Sequence, residues 1–153
     1  MGSRHRGGVE EVRALNAFIA LSRAAETVTA RTQAEIAKAD LTESRFGVLE
    51  ALYHLGPLCA AELAVKVLRS RGNLTLVIAN LERDGLVERT TRAEDRRYRT
   101  VELTARGRRL VGGMFPRHAR LVTRALGALS PREQDELRRL CRKLGKANER
   151  EAL

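Results

Sequence analysis

Hydrophobic residues recur three and four positions apart toward both ends of the chain, a spacing that places them on one face of an α-helix. This pattern predicts a long helix over 9–39. A second predicted helix follows Thr104, which is suited to cap it, and runs toward Leu126. A third begins at Ser130-Pro131, where a capping serine precedes a proline in the first helical turn. The chain is therefore expected to begin and end in long amphipathic helices.

The middle of the chain has shorter elements. One helix is predicted from Thr42, a candidate cap, to a stop at Gly56-Pro57. Two more are predicted over 60–67 and 71–83, separated by a short turn. Two short helices joined in this way have the form of a helix-turn-helix, whose second helix can enter the major groove of DNA.

Beyond Asp84-Gly85 the hydrophobic period changes from about 3.6 residues to about 2, which is typical of β-strands. Strands are predicted over 86–89 and 98–103, with an arginine-rich polar loop between them. Three helices followed by a β-hairpin make a winged helix. The predicted fold class is therefore mainly α: a winged helix-turn-helix of three short helices and a two-stranded wing, flanked by long helices.

The charge balance narrows the choice of partner. The chain carries 29 Lys and Arg against 19 Asp and Glu, a net charge of +10 at pH 7, and so basic a protein is suited to bind a polyanion. Hydrophobic residues make up 43% of the sequence, which excludes a disordered basic tail. The segment 105–124 holds six arginines and no acid. These observations favour a folded protein with a polyanion, such as a nucleic acid, as its partner.

The helix predicted over 71–83 has the composition of a DNA-recognition helix. Its apolar residues share one face and are expected to pack inward: Leu74, Val77, Ile78 and Leu81. Acids appear only near its end, whereas a solvated helix would mix acids and bases throughout. The outward residues carry amides, a hydroxyl, methyl groups and arginines, which are the groups that read base edges. The DNA-binding residues predicted from this part of the chain are Ser70, Arg71, Asn73, Thr75, Asn80 and Arg83, with Leu76 and Ala79 also facing outward.

The polar loop of the wing concentrates positive charge. Five arginines surround two acids over 89–99. A narrow hairpin tip of this kind can reach the minor groove, where the negative potential attracts arginine. An acid in the cluster would weaken phosphate binding unless it oriented a guanidinium, so Asp95 is expected to position Arg97 through a charge-assisted hydrogen bond. The predicted DNA contacts of the wing are Arg92, Asp95, Arg96 and Arg97.

The central segment carries several short motifs: Gly56-Pro57-Leu58, Glu62-Leu63-Ala64, Gly72-Asn73-Leu74-Thr75, Asn80-Leu81-Glu82, Gly85-Leu86-Val87-Glu88-Arg89, Asp95-Arg96-Arg97 and Leu103-Thr104-x-x-Gly107. Together they resemble the MarR family of bacterial winged-helix regulators. The resemblance covers residues 41–118. Arg92-Ala93 stands where the family commonly has Asp-Pro, which leaves the geometry of the wing tip open.

This resemblance implies a homodimeric transcriptional repressor that binds a pseudo-palindromic operator and responds to a small molecule or to thiol oxidation. It divides the chain into an N-terminal dimerisation helix, 1–41, a DNA-binding lobe, 42–104, and C-terminal dimerisation helices, 105–153. The protein is expected to be cytoplasmic and to have no membrane partner, because the sequence has neither a signal-like nor a membrane-spanning apolar run.

The resemblance also brings several aromatic, sulfur-containing and histidine side chains together between the dimerisation helices and the lobe. An apolar wall with one or two hydrogen-bond donors suits a small phenolic or quinone-like effector. For any one of these side chains, packing in the core is the commoner role. The candidate ligand-binding residues are Phe18, Phe46, Tyr53, His54, Met114 and His118.

Cysteine chemistry offers an alternative signal. Cys59 precedes the helix predicted from Ala60, and the partial positive charge at a helix N-terminus favours a reactive thiol. A redox-sensing regulator that uses Cys59 is therefore an alternative to the ligand-responsive one, although cysteine can also replace serine at this position merely as a small residue. Cys141 is expected to lie in the core or in an interface.

Other classes of function find less support. The chain lacks the glycine-rich phosphate loops, nucleophile elbows and metalloprotease motifs typical of enzymes, and its three histidines are scattered. No enzyme, cofactor or metal site is predicted. A sequence-tolerant architectural DNA-binding protein is the stronger rival. The uncharged residues Asn73, Thr75 and Asn80 argue against it, because a phosphate clamp would use Lys or Arg there.

Overall fold

The computed structural model describes residues 5–67, 71–92 and 95–151, with the description confined to the backbone at 71, 72, 91, 92, 95–98 and 149–151. Helices predominate, which confirms the mainly α fold class. The elements in chain order are α1 (Val9–Ala37), α2 (Glu43–Leu55), β1 (Leu58–Cys59), α3 (Ala60–Val67), α4 (Arg71–Arg83), β2 (Val87–Arg92), β3 (Asp95–Leu103), α5 (Ala105–Leu126) and α6 (Pro131–Glu151). Within the described ranges, no helix is long and apolar enough to cross a membrane.

The chain divides into two compact units. One is Thr29–Ala119, which holds the end of α1, every element from α2 to β3 and the first part of α5. The other contains the described residues 5–28 and 120–151. The DNA-binding lobe predicted over 42–104 thus lies within a larger unit, because Ile36 of α1 and Val111 of α5 join its hydrophobic core.

Aliphatic side chains from all the helices of the unit Thr29–Ala119 form this core. Leu49 of α2 and Leu63 of α3 are completely buried. The residues of α4 that were predicted to face inward are buried as well: Leu74, Val77, Ile78 and Leu81. Burial of these apolar side chains makes the largest favourable contribution to the stability of the lobe. It also packs one face of α4 against the core.

The sheet is larger than the sequence predicted. Its strands are antiparallel in the order β1-β3-β2, so the wing has a third strand, β1, that was not predicted. β2 continues to Arg92 and β3 begins at Asp95, and most of the segment predicted as a polar loop is therefore strand. Threonines explain part of this extension, because β-branched residues favour strands and the hydroxyls of Thr90 and Thr100 form a cross-strand hydrogen bond of 3.0 Å.

Capping residues set the ends of the helices. Thr42 accepts a hydrogen bond of 3.3 Å from the N–H of Arg45, and Gly56 ends α2 with a φ of 80°, a left-handed conformation that favours glycine. At α6 the N–H of Ser130 donates to Glu133 Oε2 at 2.8 Å, and the N–H of Glu133 donates to Ser130 Oγ at 3.4 Å. This is the predicted capping box. These local contacts confirm the predicted starts of α2 and α6.

The second unit exposes apolar side chains. Leu137, Leu140 and Leu144 recur along one face of α6 and are all exposed, and Phe18 on α1 is 66% exposed. A single chain therefore leaves the apolar stripe of α6 in contact with water.

Candidate nucleic-acid interface and ligand cavity

α3 and α4 form the helix-turn-helix that positions the predicted recognition residues. Because one face of α4 is buried in the core, the opposite face is turned outward. Asn73, Thr75 and Arg83 are exposed and Asn80 is half-buried. Ser70 lies outside the described residues, and only the backbone of Arg71 is described. The structure thus confirms the inward and outward faces of the helix, while the DNA contacts themselves stay a prediction.

An ion pair ties the C-terminal end of α4 to α2. Arg45 donates from Nη2 to Oδ2 of Asp84, the residue after α4, and from Nη1 to the carbonyl oxygen of Asp40 at 3.3 Å. Burial raises the pKa of the Asp84 carboxyl, but the hydrogen bonds and charges of Arg45 and Arg83 outweigh it, so this pKa lies below its ordinary value of 3.8. The pair is not apparent from the sequence, because Arg45 and Asp84 lie 39 positions apart in the chain.

The wing residues lie on β2 and β3. The backbone register pairs Arg92 with Asp95 at one end of the hairpin and Val87 with Leu103 at the other. The predicted contacts Arg92, Asp95, Arg96 and Arg97 have side chains outside the described part of the structure. The hydrogen bond expected between Asp95 and Arg97 therefore stays a prediction.

A groove of about 230 Å³ lies between α4 and the strands of the wing. Thr75 lines it together with Arg89 of β2 and Arg99 of β3. Arg89 Nε lies 3.6 Å from Glu82 Oε2 in the last turn of α4. Arg89 and Arg99 add positive charge to this groove, part of which Glu82 offsets, and guanidinium groups suit the phosphate oxygens of a nucleic-acid backbone. The sequence showed both arginines in a basic cluster, but only the pairing of the strands brings them next to Thr75.

A larger cavity of about 510 Å³ opens beside α2 in the same unit. Three of the predicted ligand-binding residues, Phe46, His54 and His118, line it. The ring centroids of Phe46 and His118 are 4.7 Å apart, and His118 Nδ1 is buried with no hydrogen-bond partner among the described residues. An aromatic wall next to an unsatisfied ring nitrogen suits a small aromatic ligand that carries a hydroxyl group.

The other predicted ligand-binding residues have different surroundings. Tyr53 and Met114 are partly buried against the hydrophobic core. Phe18 is exposed on the part of α1 that belongs to the other unit. His54 and His118 line the same cavity, but across the described ranges no three His, Cys, Asp or Glu side chains gather as metal ligands would.

The charged residues of the cavity were not predicted from the sequence. Some of them could have been recognised from the sequence. Four of the cavity residues on α2 are three or four positions apart and therefore lie on one face of that helix. The contributions of α1 and α3 have no such local signal, since only folding places these helices against α2. The missed lining residues include Glu43, Gly47 and Glu50 of α2, Lys66 of α3, and Thr32 and Ile36 of α1.

A cluster of charged side chains joins the end of α1 to α5. Glu35 accepts hydrogen bonds of 3.0 Å from Lys38 Nζ and from Arg117 Nη1. These two bonds, the one from Lys38 first, hold the pKa of Glu35 below its ordinary value of 4.5. Ile36 directly follows Glu35 in the sequence, His118 directly follows Arg117, and both line the cavity. The cluster therefore helps to hold together the two walls of the cavity that α1 and α5 form.

Cys59 ends β1 and directly precedes α3, as predicted. Its backbone N–H donates to Glu62 Oε2 at 2.7 Å, which is one of the two hydrogen bonds of a capping box. Both cysteines are free, with Cys59 half-buried and Cys141 exposed. Cys141 is therefore not in the core of the single chain, which corrects that expectation, and its place in an interface stays a prediction. The sensing role of Cys59 stays a prediction.

Comparison with known proteins identifies the family. The model of the MarR family matches residues 41–98. YkoM, an uncharacterized HTH-type transcriptional regulator of Bacillus subtilis, is 35% identical over 137 residues, which are 89% of this chain and 89% of YkoM. The HTH-type transcriptional regulator MhqR of the same organism is 31% identical over 133 residues, 87% of this chain and 92% of MhqR.

A solved structure has the same architecture. BpsR of Bordetella bronchiseptica, whose DNA binding is regulated by 6-hydroxynicotinic acid, matches with a TM-score of 0.75 and 28% identity over 94% of this chain and 98% of its own. The curated relatives are transcriptional regulators, which confirms that the chain is not an enzyme. With a winged helix-turn-helix and relatives that match over most of its length, the protein is a DNA-binding transcriptional regulator of the MarR family.

Proposed function

We propose that this regulator is a homodimeric repressor that binds a pseudo-palindromic DNA operator and releases it when a small phenolic or quinone-like ligand occupies the cavity beside α2. The observation that carries the proposal is the two-sided character of α4. One face is buried in the core, and the other presents amide, hydroxyl and arginine side chains beside an arginine-rich wing.

Groups for reading bases and groups for holding phosphates are both present. Asn73 and Asn80 carry amides that can pair with adenine, and Arg83 can pair with guanine in the major groove. Arg89 and Arg99 line a groove whose positive charge can hold the phosphate backbone of DNA. Such phosphate contacts fix the register of the protein on DNA but carry no sequence information. This combination favours specific operator binding over the architectural alternative.

The apolar stripe of α6 supports dimerisation. Leu140 and Leu144 are 48% and 52% exposed in a single chain. Burying apolar surface of this kind drives association. A two-fold dimer would present its two copies of α4 to successive major grooves, about 34–36 Å apart.

The cavity supports a hydroxylated aromatic ligand. Phe46 and His118 place aromatic rings at the cavity, and His118 Nδ1 has no hydrogen-bond partner among the described residues, which suits a neutral hydroxylated compound such as hydroquinone. An aromatic acid also needs Lys66 to offset the charges of Glu43 and Glu50. The regulation of BpsR by 6-hydroxynicotinic acid supports testing the class of aromatic acids beside the neutral compounds. A ligand that binds the DNA-incompetent form about 100-fold better shifts the affinity for DNA by about 2.7 kcal/mol.

The test of DNA recognition starts from a randomised duplex library, from which the full-length protein selects its operator. Asn80→Ala is expected to weaken binding to the selected duplex by about 1–3 kcal/mol and to change binding to random DNA little. Arg97→Ala should weaken both. If Asn80→Ala reduced binding to selected and random DNA equally, the architectural alternative would be favoured.

The test of release titrates hydroquinone, kept reduced, and salicylate against the protein–operator complex, with peroxide and a quinone in separate arms. We expect an aromatic ligand to release DNA from both the wild type and Cys59→Ser. Release that requires an oxidant or electrophile and disappears in Cys59→Ser would identify the thiol as the sensor and contradict the ligand proposal.

A further inference from the structure

α4 carries a large apolar side chain near the middle of its outward face. Leu76 is 62% exposed, whereas the other two leucines of the helix, Leu74 and Leu81, are buried. At about 100° per residue, Leu76 lies nearly opposite the buried face. Its position is central among the outward residues proposed to contact DNA, with Asn73 and Asn80 on one side and Thr75 on the other.

The chemistry of leucine limits what it can recognise there. Its side chain has no hydrogen-bond donor or acceptor, so it reads no base edge by hydrogen bonding. The apolar feature that base pairs present in the major groove is the C5-methyl group of thymine. Contact between the two removes the apolar surface of both from water, while the same leucine against a polar base edge would desolvate that edge without giving it a partner.

We propose that Leu76 is a specificity-determining residue that recognises a methyl group at C5 of a pyrimidine in the operator. The inference rests on the proposed sequence-specific binding by α4, and it adds an apolar contact to the polar ones proposed for Asn73 and Asn80. Thymine and 5-methylcytosine both carry this methyl group. The experiment therefore has an arm for each.

The experiment uses the full-length protein and a duplex selected from the randomised library. Each thymine is replaced in turn by deoxyuridine, which keeps the base pairing and removes only the methyl group. The wild type is expected to bind about four-fold more weakly when the contacted thymine is replaced, the loss expected for about one buried methyl group. Leu76→Ala should bind the substituted and unsubstituted duplexes alike.

Val65→Ala is the matched control. Val65 lies on α3 of the same lobe and is 66% exposed, so its truncation also shortens an exposed aliphatic side chain. This variant should keep the thymine dependence of the wild type. In the second arm, a 5-methylcytosine–guanine pair at the contacted position should bind the wild type more tightly than an unmodified cytosine–guanine pair.

Two results separate this inference from the function on which it rests. If the wild type shows no thymine dependence, or one that persists in Leu76→Ala, the role of Leu76 is overturned while specific DNA binding stands. If the library yields no enriched sequence, the proposed function itself is contradicted, and the inference falls with it. Leu76→Asn adds a positive readout, because its amide should shift the preferred base at that position toward adenine.

Discussion

For single residues, the space around a glycine decides what can replace it. A Cβ atom at Gly107 would overlap the carbonyl oxygen of Leu86, whereas among the described residues the space around Gly113 is open. Gly107→Ala is expected to destabilise the protein by about 1–3 kcal/mol through overpacking. Gly113→Ala, the control on the same helix, should stabilise it by up to about 1 kcal/mol, because alanine favours helix. Urea denaturation measures both, and similar effects at the two sites would contradict the close approach.

The pair of Arg45 and Asp84 predicts a dependence of stability on pH. Because the pKa of Asp84 is lowered in the folded protein, the pair stabilises the fold above the ordinary carboxyl pKa and loses this effect as the pH falls below about 4. Asp84→Asn should therefore reduce the free energy of unfolding at neutral pH. The difference in the free energy of unfolding between Asp84→Asn and the wild type should shrink toward about pH 3. A difference that stayed constant over this range in urea titrations would show that the charge of Asp84 contributes nothing.

Among the elements, the helix α5 depends for its stability on the capping residue that precedes it. Thr104 Oγ1 donates to the carbonyl oxygen of Gly85 at 2.7 Å and accepts from the N–H of Gly107 at 3.0 Å, so it caps α5 and ties it to the turn after α4. Thr104→Ala is expected to cost about 1–2 kcal/mol. Thr104→Ser keeps the hydroxyl and should retain most of the stability. Thermal unfolding compares the two variants, and a serine variant as unstable as the alanine variant would argue against the cap.

Two copies of the whole molecule are expected to associate through the apolar face of α6. Leu140 and Leu144 lie on the apolar face, and the opposite face carries Arg142 and Lys146. Replacing both leucines with glutamate should convert the proposed dimer to a monomer and weaken operator binding, because each molecule would then present a single α4. Replacing Arg142 and Lys146 with glutamate is the matched control and should leave the dimer intact.

Light scattering measures this assembly. The wild type is expected at twice the chain mass of 17.0 kDa, as is the control variant, and the leucine variant at the chain mass itself. A wild type that is monomeric at micromolar concentration and still binds its operator tightly would contradict dimerisation.

The family, the helices and the two faces of α4 all follow from local sequence patterns. Hydrophobic period and capping act over a few residues, so Thr42, Thr104 and Ser130 marked helix starts that the structure confirms. The same local information placed Phe46 and His54 on one helix, and both line the cavity.

The contacts between distant segments, in contrast, depend on the folded chain. β1 has two residues, too few for a period, and becomes a strand by pairing with β3. The length of the wing depends on cross-strand pairing, and the Arg45–Asp84 pair depends on packing α2 against α4. The cavity likewise takes its walls from α1, α2, α3 and α5. Contacts between residues so far apart in the chain leave no pattern in the local sequence, because they form only when the core does.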